Sequence, residues 1–473
     1  MRRSKKLYLL LCILAVTSIA TYAVKQFEEH KEKIKNTEAI ILKIPYDSVK
    51  ALSWEYEGEN LAFHKEEKWL YDEDEAFPVD EEKIKKLLGL FEELQASFII
   101  EEVEDYGQYG LEDPTCTINL STDEKSYEIK LGDYSIMDSQ RYISIGDGNV
   151  YLVKDDPMDY FDVVLNDLID HDETPIFSNN VTRIQFKGAE NYNIVYEEDS
   201  DNTYGDDVYF AQKSGRNLPL DTTRVNSYLS KITHLNLTDY VTYNASEDEL
   251  KKYGLDKPEL TVTVDYRSKN KEGEKTTDTF VLNISRDPEE KKAAEKNSKK
   301  ENDPLKDEKI TAYARVGNSK ILYRITSDDY KDLMAASYDS FRHLEVFYGD
   351  FEDIEQIDIS LEGNDYTITS EKKGNKRTYY YKEEELEIID FQNALRNLKA
   401  DSFTDEKPTQ KKEISLKIYL DNKNYPEISI DLYRYDGTYC LAVIDGEPVS
   451  FIKRPKVVDL IEAVYSIVLN IDE

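Results

Sequence analysis

The chain has 473 residues, of which 97 are Asp or Glu and 61 are Lys or Arg, so its formal net charge is −36. This charge argues against nucleic-acid binding, because phosphate contacts require a basic surface. Hydrophobic residues (40%) and aromatic residues (11%) supply enough apolar surface for folded domains, and the length indicates about three of them. Three cysteines and five histidines are too few for a disulfide scaffold or a histidine-rich metal site.

The N-terminus has the pattern of a membrane anchor. The first six residues carry four positive charges, and the 18 residues from 7 to 24 are uncharged. As a helix this segment would span about 27 Å, close to the thickness of a bilayer core. Basic residues ahead of an apolar segment favour a cytoplasmic N-terminus. We therefore expect an uncleaved, single-pass signal anchor in the cell membrane, with the bulk of the chain extracytoplasmic. A cleaved signal peptide is the alternative, because Thr21-Tyr22-Ala23 resembles a cleavage site.

An internal repeat organises the rest of the chain. The segment Tyr109-Gly110-Leu111-Glu112-Asp113-Pro114 recurs 144 residues later as Tyr253-Gly254-Leu255-Asp256-Lys257-Pro258. Each copy lies in a similar order of strand-like and helix-like segments. The predicted fold class is α+β: three tandem repeats, each of antiparallel strands packed with one long amphipathic helix and one closing helix, after an N-terminal transmembrane helix. The predicted boundaries are 1–36 for the cytoplasmic stub, anchor and linker, 37–176 and 177–346 for the first two repeats, and 347–473 for a divergent third.

The long helices are predicted from apolar residues spaced three and four apart behind an aspartate, which can accept hydrogen bonds from free backbone N–H groups. The aspartates are Asp80, Asp221 and Asp390, and the apolar stripes are Ile84-Leu87-Leu88-Phe91-Leu94, Val225-Tyr228-Leu229-Ile232 and Phe391-Ala394-Leu395-Leu398. Closing helices are predicted at 157–169, 328–336 and 455–469. Residues 286–309 hold eight basic and eight acidic residues without apolar periodicity, which predicts a mobile charged insertion with at most partial helix.

The repeated Tyr-Gly-Leu-x-x-Pro motif is interpreted as a helix stop followed by the start of a strand. Ser246 and Glu249 have the spacing of a capping box, Gly254 suits the left-handed position that ends a helix, and Pro258 favours extended chain. The equivalent residues of the first copy are Tyr109, Gly110, Leu111 and Pro114. A ligand-binding role for Tyr109 and Tyr253 is the alternative. The third repeat has Phe403-Thr404-Asp405-Glu406-Lys407-Pro408 in place of the motif.

Together with Leu131-Gly132-Asp133, Arg141-Tyr142-Ile143 and Val150-Tyr151-Leu152-Val153, the anchor and the motif resemble the bacterial family named domain of unknown function 4340. The resemblance covers nearly all of the chain after the anchor. It implies a membrane-anchored, extracytoplasmic protein whose gene often lies beside those of a gliding-motility-type ABC transporter. The implied partners are therefore a transporter permease or an auxiliary extracytoplasmic subunit. The family offers no catalytic residues to carry over.

No segment of the sequence specifies a reaction. P-loop, Rossmann, nucleophile-elbow and zinc-protease motifs are absent from it. Residues 199–207 offer oxygen ligands for calcium but lack the EF-hand pattern, so we expect a solvated turn. Ser370-Glu371-Lys372-Lys373 matches Ser-x-x-Lys, which we attribute to chance, and His171 and His343 are expected at helix ends or on the surface. Cys116 and Cys440 are expected to be isolated, partly buried thiols, with a disulfide between them as the alternative.

We therefore expect no catalytic residue, no metal site and no cofactor. The expected function is that of a membrane-tethered extracytoplasmic accessory, scaffold or binding protein that is associated with an ABC-type transporter and contacts the lipid bilayer through residues 7–24. The alternatives are a cell-envelope hydrolase acting on glycan, because paired carboxylates are available among so many acids, and a purely structural spacer.

Overall fold

The structure, a computed structural model, describes residues 13–22, 33–36, 38–177, 180–213, 215–269, 273–297, 309–374 and 376–469. Contacts divide the chain into two compact units, Met1–His171 and Asp172–Glu473. Residues 13–22 of the predicted anchor are helical, and the remainder of that anchor lies outside the described residues. Among the described residues, no helix has both the length and the apolar character needed to cross a membrane.

Three antiparallel sheets follow one another along the chain, one with ten strands and two with nine. The strands of the first sheet are β1 (Lys33–Asn36), β2 (Ile40–Leu42), β3 (Val49–Tyr56), β4 (Glu59–Lys65), β5 (Trp69–Tyr71), β6 (Leu94–Glu101), β7 (Cys116–Thr122), β8 (Ser126–Ser135), β9 (Gln140–Ser144) and β10 (Val150–Val153). Those of the second are β11 (Val181–Lys187), β12 (Tyr192–Tyr196), β13 (Tyr209–Lys213), β14 (Arg216–Leu220), β15 (Tyr240–Thr242), β16 (Leu260–Lys269), β17 (Lys275–Arg286), β18 (Ala312–Val316) and β19 (Leu322–Ile325). Those of the third are β20 (Ile354–Leu361), β21 (Asn364–Lys373), β22 (Lys376–Tyr381), β23 (Glu384–Leu386), β24 (Ala400–Phe403), β25 (Lys412–Leu420), β26 (Glu427–Arg434), β27 (Tyr439–Ile444) and β28 (Glu447–Lys453).

The three sheets share one topology, which confirms the predicted repeat. Eight strands are common to all of them, and if these are numbered in chain order within a repeat, they lie side by side as 3-2-1-5-6-7-8-4. The first sheet adds β1 and β2, which both pair with β6, the fourth common strand. The second and third sheets instead add β14 and β23 beyond the third common strand. The repeats therefore differ at the edges of the sheets and agree in their centre.

Each sheet buries one face against helices. In β25 every second residue from Ile414 to Leu420 is buried, and the residues between them are partly exposed. This alternation is typical of a strand with one face in a core. The helices are α1 (Glu81–Gly89), α2 (Met158–Phe161), α3 (Thr222–Thr233), α4 (Glu247–Lys252), α5 (Pro288–Asn297), α6 (Ser327–Met334), α7 (Tyr338–Phe341), α8 (Ile389–Arg396) and α9 (Arg454–Leu469). In chain order, the amphipathic helix of each repeat (α1, α3 or α8) follows the third common strand and precedes the fourth.

The amphipathic helices of the first and third repeats are shorter than predicted, with 9 and 8 residues, whereas α3 has 12 residues and covers its whole predicted stripe. In the first repeat the helix ends at Gly89, and Phe91 and Leu94 of the apolar stripe lie beyond it, in a turn and at the start of β6. Both are nevertheless buried, because the turn and the strand face the same core as the helix. The apolar spacing therefore identified the core residues of the first repeat correctly but predicted a helix that is too long.

The predicted aspartate caps are confirmed in two repeats and wrong in the third. Asp80 accepts hydrogen bonds from the backbone N–H groups of the first turn of α1, and Asp221 does the same for α3. In the third repeat Ile388 occupies the cap position, and Asp390 lies inside the first turn of α8. Because α8 starts two residues earlier than predicted, the Asp390 carboxylate is displaced from the free N–H groups.

The closing helix is confirmed in the third repeat, where α9 has 16 residues, and in the second, where α6 is followed by the short α7. In the first repeat the predicted helix 157–169 is wrong. There α2 ends at Phe161, and a separate 3-10 turn runs from Leu165 to Leu168. The Asp167 carboxylate accepts from the N–H of Val164 at 3.1 Å, which starts this new turn. Within the predicted charged insertion, α5 covers 288–297, and residues 298–308 lie outside the described part of the chain.

Candidate functional site

The Tyr-Gly-Leu motif ends a helical turn in both copies. In the second repeat Ser246 and Glu249 form the expected capping box at the start of α4. Gly254 then adopts a left-handed conformation with φ of 74°, and the N–H of Leu255 donates to the carbonyl of Leu250 at 2.8 Å. In the first repeat the turn is a single 3-10 turn that ends at Gly110, with φ of 68°. Pro114 and Pro258 each stand two residues ahead of the next strand.

The motif glycines also permit close contact with the sixth common strand of the sheet. A methyl group at Gly110 would lie 2.6 Å from Oδ1 and 2.9 Å from the backbone nitrogen of Asp133, and one at Gly132 would overlap the carbonyl oxygen of Tyr109. In the second repeat a methyl group at Gly254 would lie 3.1 Å from a side-chain carbon of Pro288. The first copy is therefore held tightly against both the side chain and the backbone of Asp133, and the second less tightly against a side chain.

The tyrosine and leucine of each motif cover a small apolar cluster. Tyr109 and Leu111 pack with residues of β6 and β10, and Leu255 packs with residues of α4, β18 and β19, with Tyr253 against them. Each motif tyrosine also meets a tyrosine of the seventh common strand, with ring centroids 4.9 Å apart for Tyr109–Tyr142 and 4.7 Å apart for Tyr253–Tyr313. These contacts account for the motif as a structural element, and they give the ligand-binding alternative no support.

The acidic stretch 199–207 forms a joint between the second and third repeats. Asp207 is only 6% exposed, accepts from the hydroxyl of Thr203 at 2.8 Å, and lies 2.9 Å from Nε2 of His343. At the other end of the stretch, Asn424 of the third repeat donates to Asp201 at 2.7 Å. The prediction of a solvated turn is therefore wrong for Thr203 and Asp207, because another part of the chain covers them.

Aromatic rings continue this joint. The ring of His343 stacks on Tyr348 with centroids 3.8 Å apart and an interplanar angle of 2°, and Tyr348 stacks on Tyr204 at 4.1 Å. Tyr204 also packs against the core of the third repeat. Burial raises the pKa of Tyr204 and of Tyr348 well above the ordinary tyrosine value, so both hydroxyls remain protonated near neutral pH. No local pattern indicated that His343 belongs to this joint. The available signal was the pair Tyr204-Gly205, because Gly205 lets Tyr348 approach.

One histidine and two carboxylates come together beside the joint. The possible ligand atoms of Asp221, His343 and Glu345 all lie within 4.8 Å of one another. Asp221 is already used as the α3 cap, and Lys399 donates to Glu345 at 2.7 Å. Burial acts to raise the pKa of Glu345, but the hydrogen bond from Lys399 and other contacts outweigh it, so this pKa is lowered. A general acid needs the opposite shift, and a metal ion would have to displace Lys399 and the cap bonds. The group therefore fits a structural role.

The remaining candidate residues are structural in their surroundings. Cys116 and Cys440 are free and fully buried, and burial raises the pKa of each thiol to about 12. The expectation of unpaired thiols is confirmed, although they are more deeply buried than predicted. The hydroxyl of Ser370 donates to the carbonyl of Ile354 at 2.7 Å and faces the guanidinium of Arg377 at 3.1 Å. The Ser-x-x-Lys match is therefore part of a strand contact.

The fold defines a tandem-repeat α+β protein with three sheets of one topology. The model of the family described as Domain of unknown function (DUF4340) matches residues 69–258 and 212–417, and the chain belongs to this family. The two matches begin in β5 and β13, which are the third common strands of the first and second repeats, so each match runs from one repeat into the next. No curated protein and no solved structure matches the chain.

Proposed function

We propose that the protein is a membrane-tethered, extracytoplasmic scaffold or binding subunit that works with an ABC-type transporter and carries out no reaction of its own. The observation that carries the proposal is the N-terminal pattern, in which four basic residues precede 18 uncharged ones. Such a pattern places the N-terminus in the cytoplasm and the remainder of the chain on the other side of the membrane.

The described part of the apolar segment supports this placement. Residues 13–22 are helical and expose apolar side chains, among them Leu14, Val16 and Ile19. The hydroxyl of Thr17 donates to the carbonyl of Ile13 at 3.0 Å, and that of Thr21 to the carbonyl of Thr17 at 2.7 Å. Hydroxyls bound in this way to their own helix leave no free donor, which suits an apolar environment.

The repeats support a scaffold. The stacked rings of His343, Tyr348 and Tyr204 join the second and third repeats, and Asp207 holds His343 in that stack, so these functional groups are already occupied. The three sheets share the strand order of their centre and differ in their edges and loops. This combination is typical of an architecture that presents several surfaces on one framework. The transporter as a partner follows from what the family resemblance implies, and it is the part of the proposal that needs a direct test.

The topology is tested with cysteine labelling in intact cells, in a chain that carries Cys12→Ser, because the two remaining cysteines, Cys116 and Cys440, are buried and should not react. We expect a membrane-impermeant maleimide to label Lys85→Cys, on the exposed side of α1, without permeabilisation. The matched control, Ser4→Cys, should react only after the membrane is opened. Labelling of both positions only in opened cells would overturn the extracytoplasmic assignment.

The partner is tested by chemical crosslinking in membranes followed by mild solubilisation and mass spectrometry. We expect the full chain to recover a permease or an auxiliary extracytoplasmic subunit of an ABC-type transporter. A chain that lacks residues 1–24 is the control, because it would no longer be held at the membrane. Recovery of no transporter component from the full chain would remove the transporter from the proposal.

A further inference from the structure

The hairpin between β8 and β9 ends in an exposed apolar tip. Four residues, from Ile136 to Ser139, connect the two strands. Ile136 is 88% exposed and Met137 is 96% exposed, and Tyr134 beside them is 45% exposed. Two adjacent and almost fully exposed apolar side chains, next to an aromatic ring, form a small projecting patch of the kind that marks a contact site.

The tip is held in one shape. The hydroxyl of Ser135 donates to the carboxylate of Asp138 at 2.7 Å, and the N–H of Asp138 lies 3.3 Å from the same hydroxyl. Ser139 takes a left-handed conformation with φ of 55°, and the guanidinium of Arg141 lies 5.8 Å from the ring centroid of Tyr134. A turn fixed in advance loses little conformational freedom when it binds.

The other repeats provide an internal comparison for the tip. In the third repeat the same connection, between β26 and β27, also has four residues, Tyr435-Asp436-Gly437-Thr438. There Asp436 accepts from the N–H groups of Thr438 and Tyr439, at 2.6 Å and 2.7 Å. This polar turn shows that the hairpin does not need apolar residues at its end. In the second repeat the same connection, 287–311, contains α5 and the charged insertion. The apolar pair is therefore particular to the first repeat.

We infer that the tip at Ile136 and Met137 is a docking element that inserts into an apolar pocket with a basic rim on a partner protein. Asp133 and Asp138 flank the tip, whereas Arg141, one of the two basic residues of the hairpin strands, is bound to Asp156 at 2.6 Å. Carboxylates beside the tip complement Lys or Arg on the partner and are repelled by the anionic surface of a bilayer. This inference rests on the proposed function, since it names the kind of surface that a transporter component would offer.

The test uses the full chain in membranes, with a photo-crosslinking amino acid at Met137 and, as the matched control, at Thr438 on the equivalent turn. We expect position 137 to crosslink to apolar residues that lie beside Lys or Arg in the partner, and position 438 to give no such product. Ile136→Ser in the Met137 crosslinking chain should reduce the yield by about tenfold, as loss of one buried apolar side chain would. The melting temperature of Ile136→Ser/Met137→Ser should equal that of the parent chain, because both side chains are exposed.

Two outcomes of the crosslinking and vesicle experiments would overturn the inference. One is a crosslinking yield at position 137 no higher than at position 438. The other is binding to vesicles of phosphatidylethanolamine and phosphatidylglycerol that the double serine variant abolishes, since that result assigns the tip to lipid. If the double variant still recovers the transporter component as well as the parent chain does, the docking role fails while the proposed function stands. If position 137 crosslinks a basic-rimmed apolar pocket in a protein unrelated to transport, the docking role stands and the transporter assignment fails.

Discussion

Gly110 and Gly254 occupy the same place in two copies of one motif, but their neighbours differ. Both have positive φ, at 68° and 74°, so an alanine at either position is strained by about 1 kcal/mol. At Gly110 the added methyl group would also meet Oδ1 of Asp133 at 2.6 Å and its backbone nitrogen at 2.9 Å, whereas at Gly254 it would meet a carbon of Pro288 at 3.1 Å. A ring carbon on a helix end can shift more easily than a strand backbone.

We therefore expect Gly110→Ala to lower the free energy of unfolding by about 2–4 kcal/mol and Gly254→Ala by about 1–2 kcal/mol. The two tryptophans, Trp54 and Trp69, both lie in the first compact unit, so urea unfolding followed by tryptophan fluorescence reports on Gly110→Ala. Circular dichroism reports on Gly254→Ala, which should leave the fluorescence transition unchanged. Equal losses for the two variants would contradict the contact argument.

Also at the residue scale, His64 makes a pH-dependent contribution to the stability of the folded state. Its Nδ1 lies 2.7 Å from a carboxylate oxygen of Asp72, and both side chains are substantially exposed. The hydrogen bond to Asp72 is the main cause that raises the pKa of His64 above its usual value. A raised pKa in the folded state means that the stabilisation is fully present below the unfolded-state pKa of about 6.5 and is lost as pH rises through the higher folded-state value.

Asp72→Asn should therefore destabilise the first compact unit at a pH of about 5.5 and have little effect at about 8.5, with a difference below about 1 kcal/mol because the pair is exposed. Tryptophan-detected urea unfolding at the two pH values measures this difference. Glu66→Gln is the matched control, since Glu66 contributes only at longer range. A larger effect of Asp72→Asn at the higher pH would show that the sign is wrong.

At the scale of elements, the sequence located all three amphipathic helices, but the predicted helix was too long where one apolar pattern continues through two elements. Ile84 to Leu88 and Phe91 to Leu94 share a helical spacing, yet only the first group is helical. Apolar side chains are buried wherever the chain faces the core, and a turn or a strand can face the core as well as a helix can. The contact of Asp207 with His343 could not be predicted for a different reason, because the two residues are 136 positions apart and no local pattern connects them.

The helix caps give a prediction for this scale. Asp80→Ala removes an acceptor for two backbone N–H groups of α1 and should cost about 1 kcal/mol. Asp390→Ala removes a carboxylate that caps nothing and should cost less than about 0.5 kcal/mol, through the helix dipole alone. Urea unfolding measures both, with tryptophan fluorescence for Asp80→Ala and circular dichroism for Asp390→Ala. An equal or larger loss for Asp390→Ala would contradict the start of α8 at Ile389.

At the scale of the whole molecule, the second and third repeats share one compact unit, Asp172–Glu473. The contacts that join them include the stack of His343, Tyr348 and Tyr204, the hydrogen bond from Asn424 to Asp201, and the strand-like pairing of Glu345 with Lys399. Each repeat also has a sheet and a core of its own. Two folded bodies unfold together only when the free energy of their joint exceeds the difference in their separate stabilities, so the joint decides whether this unit has one transition or two.

Tyr204→Ala should therefore divide the unfolding of this unit into two transitions, as followed by circular dichroism of the full chain. The large cavity left in the joint should lower the free energy of unfolding by about 3 kcal/mol or more. The tryptophan transition should not move, since Trp54 and Trp69 lie outside this unit. Tyr465→Ala is the matched control: Tyr465 packs against the core of the third repeat and donates to Glu362 at 2.9 Å, within that repeat. It should lower the transition midpoint without dividing it. Removal of the ring interrupts the stack between the second and third repeats. A single transition in Tyr204→Ala would therefore contradict the prediction and show that other contacts couple the unfolding of the two repeats.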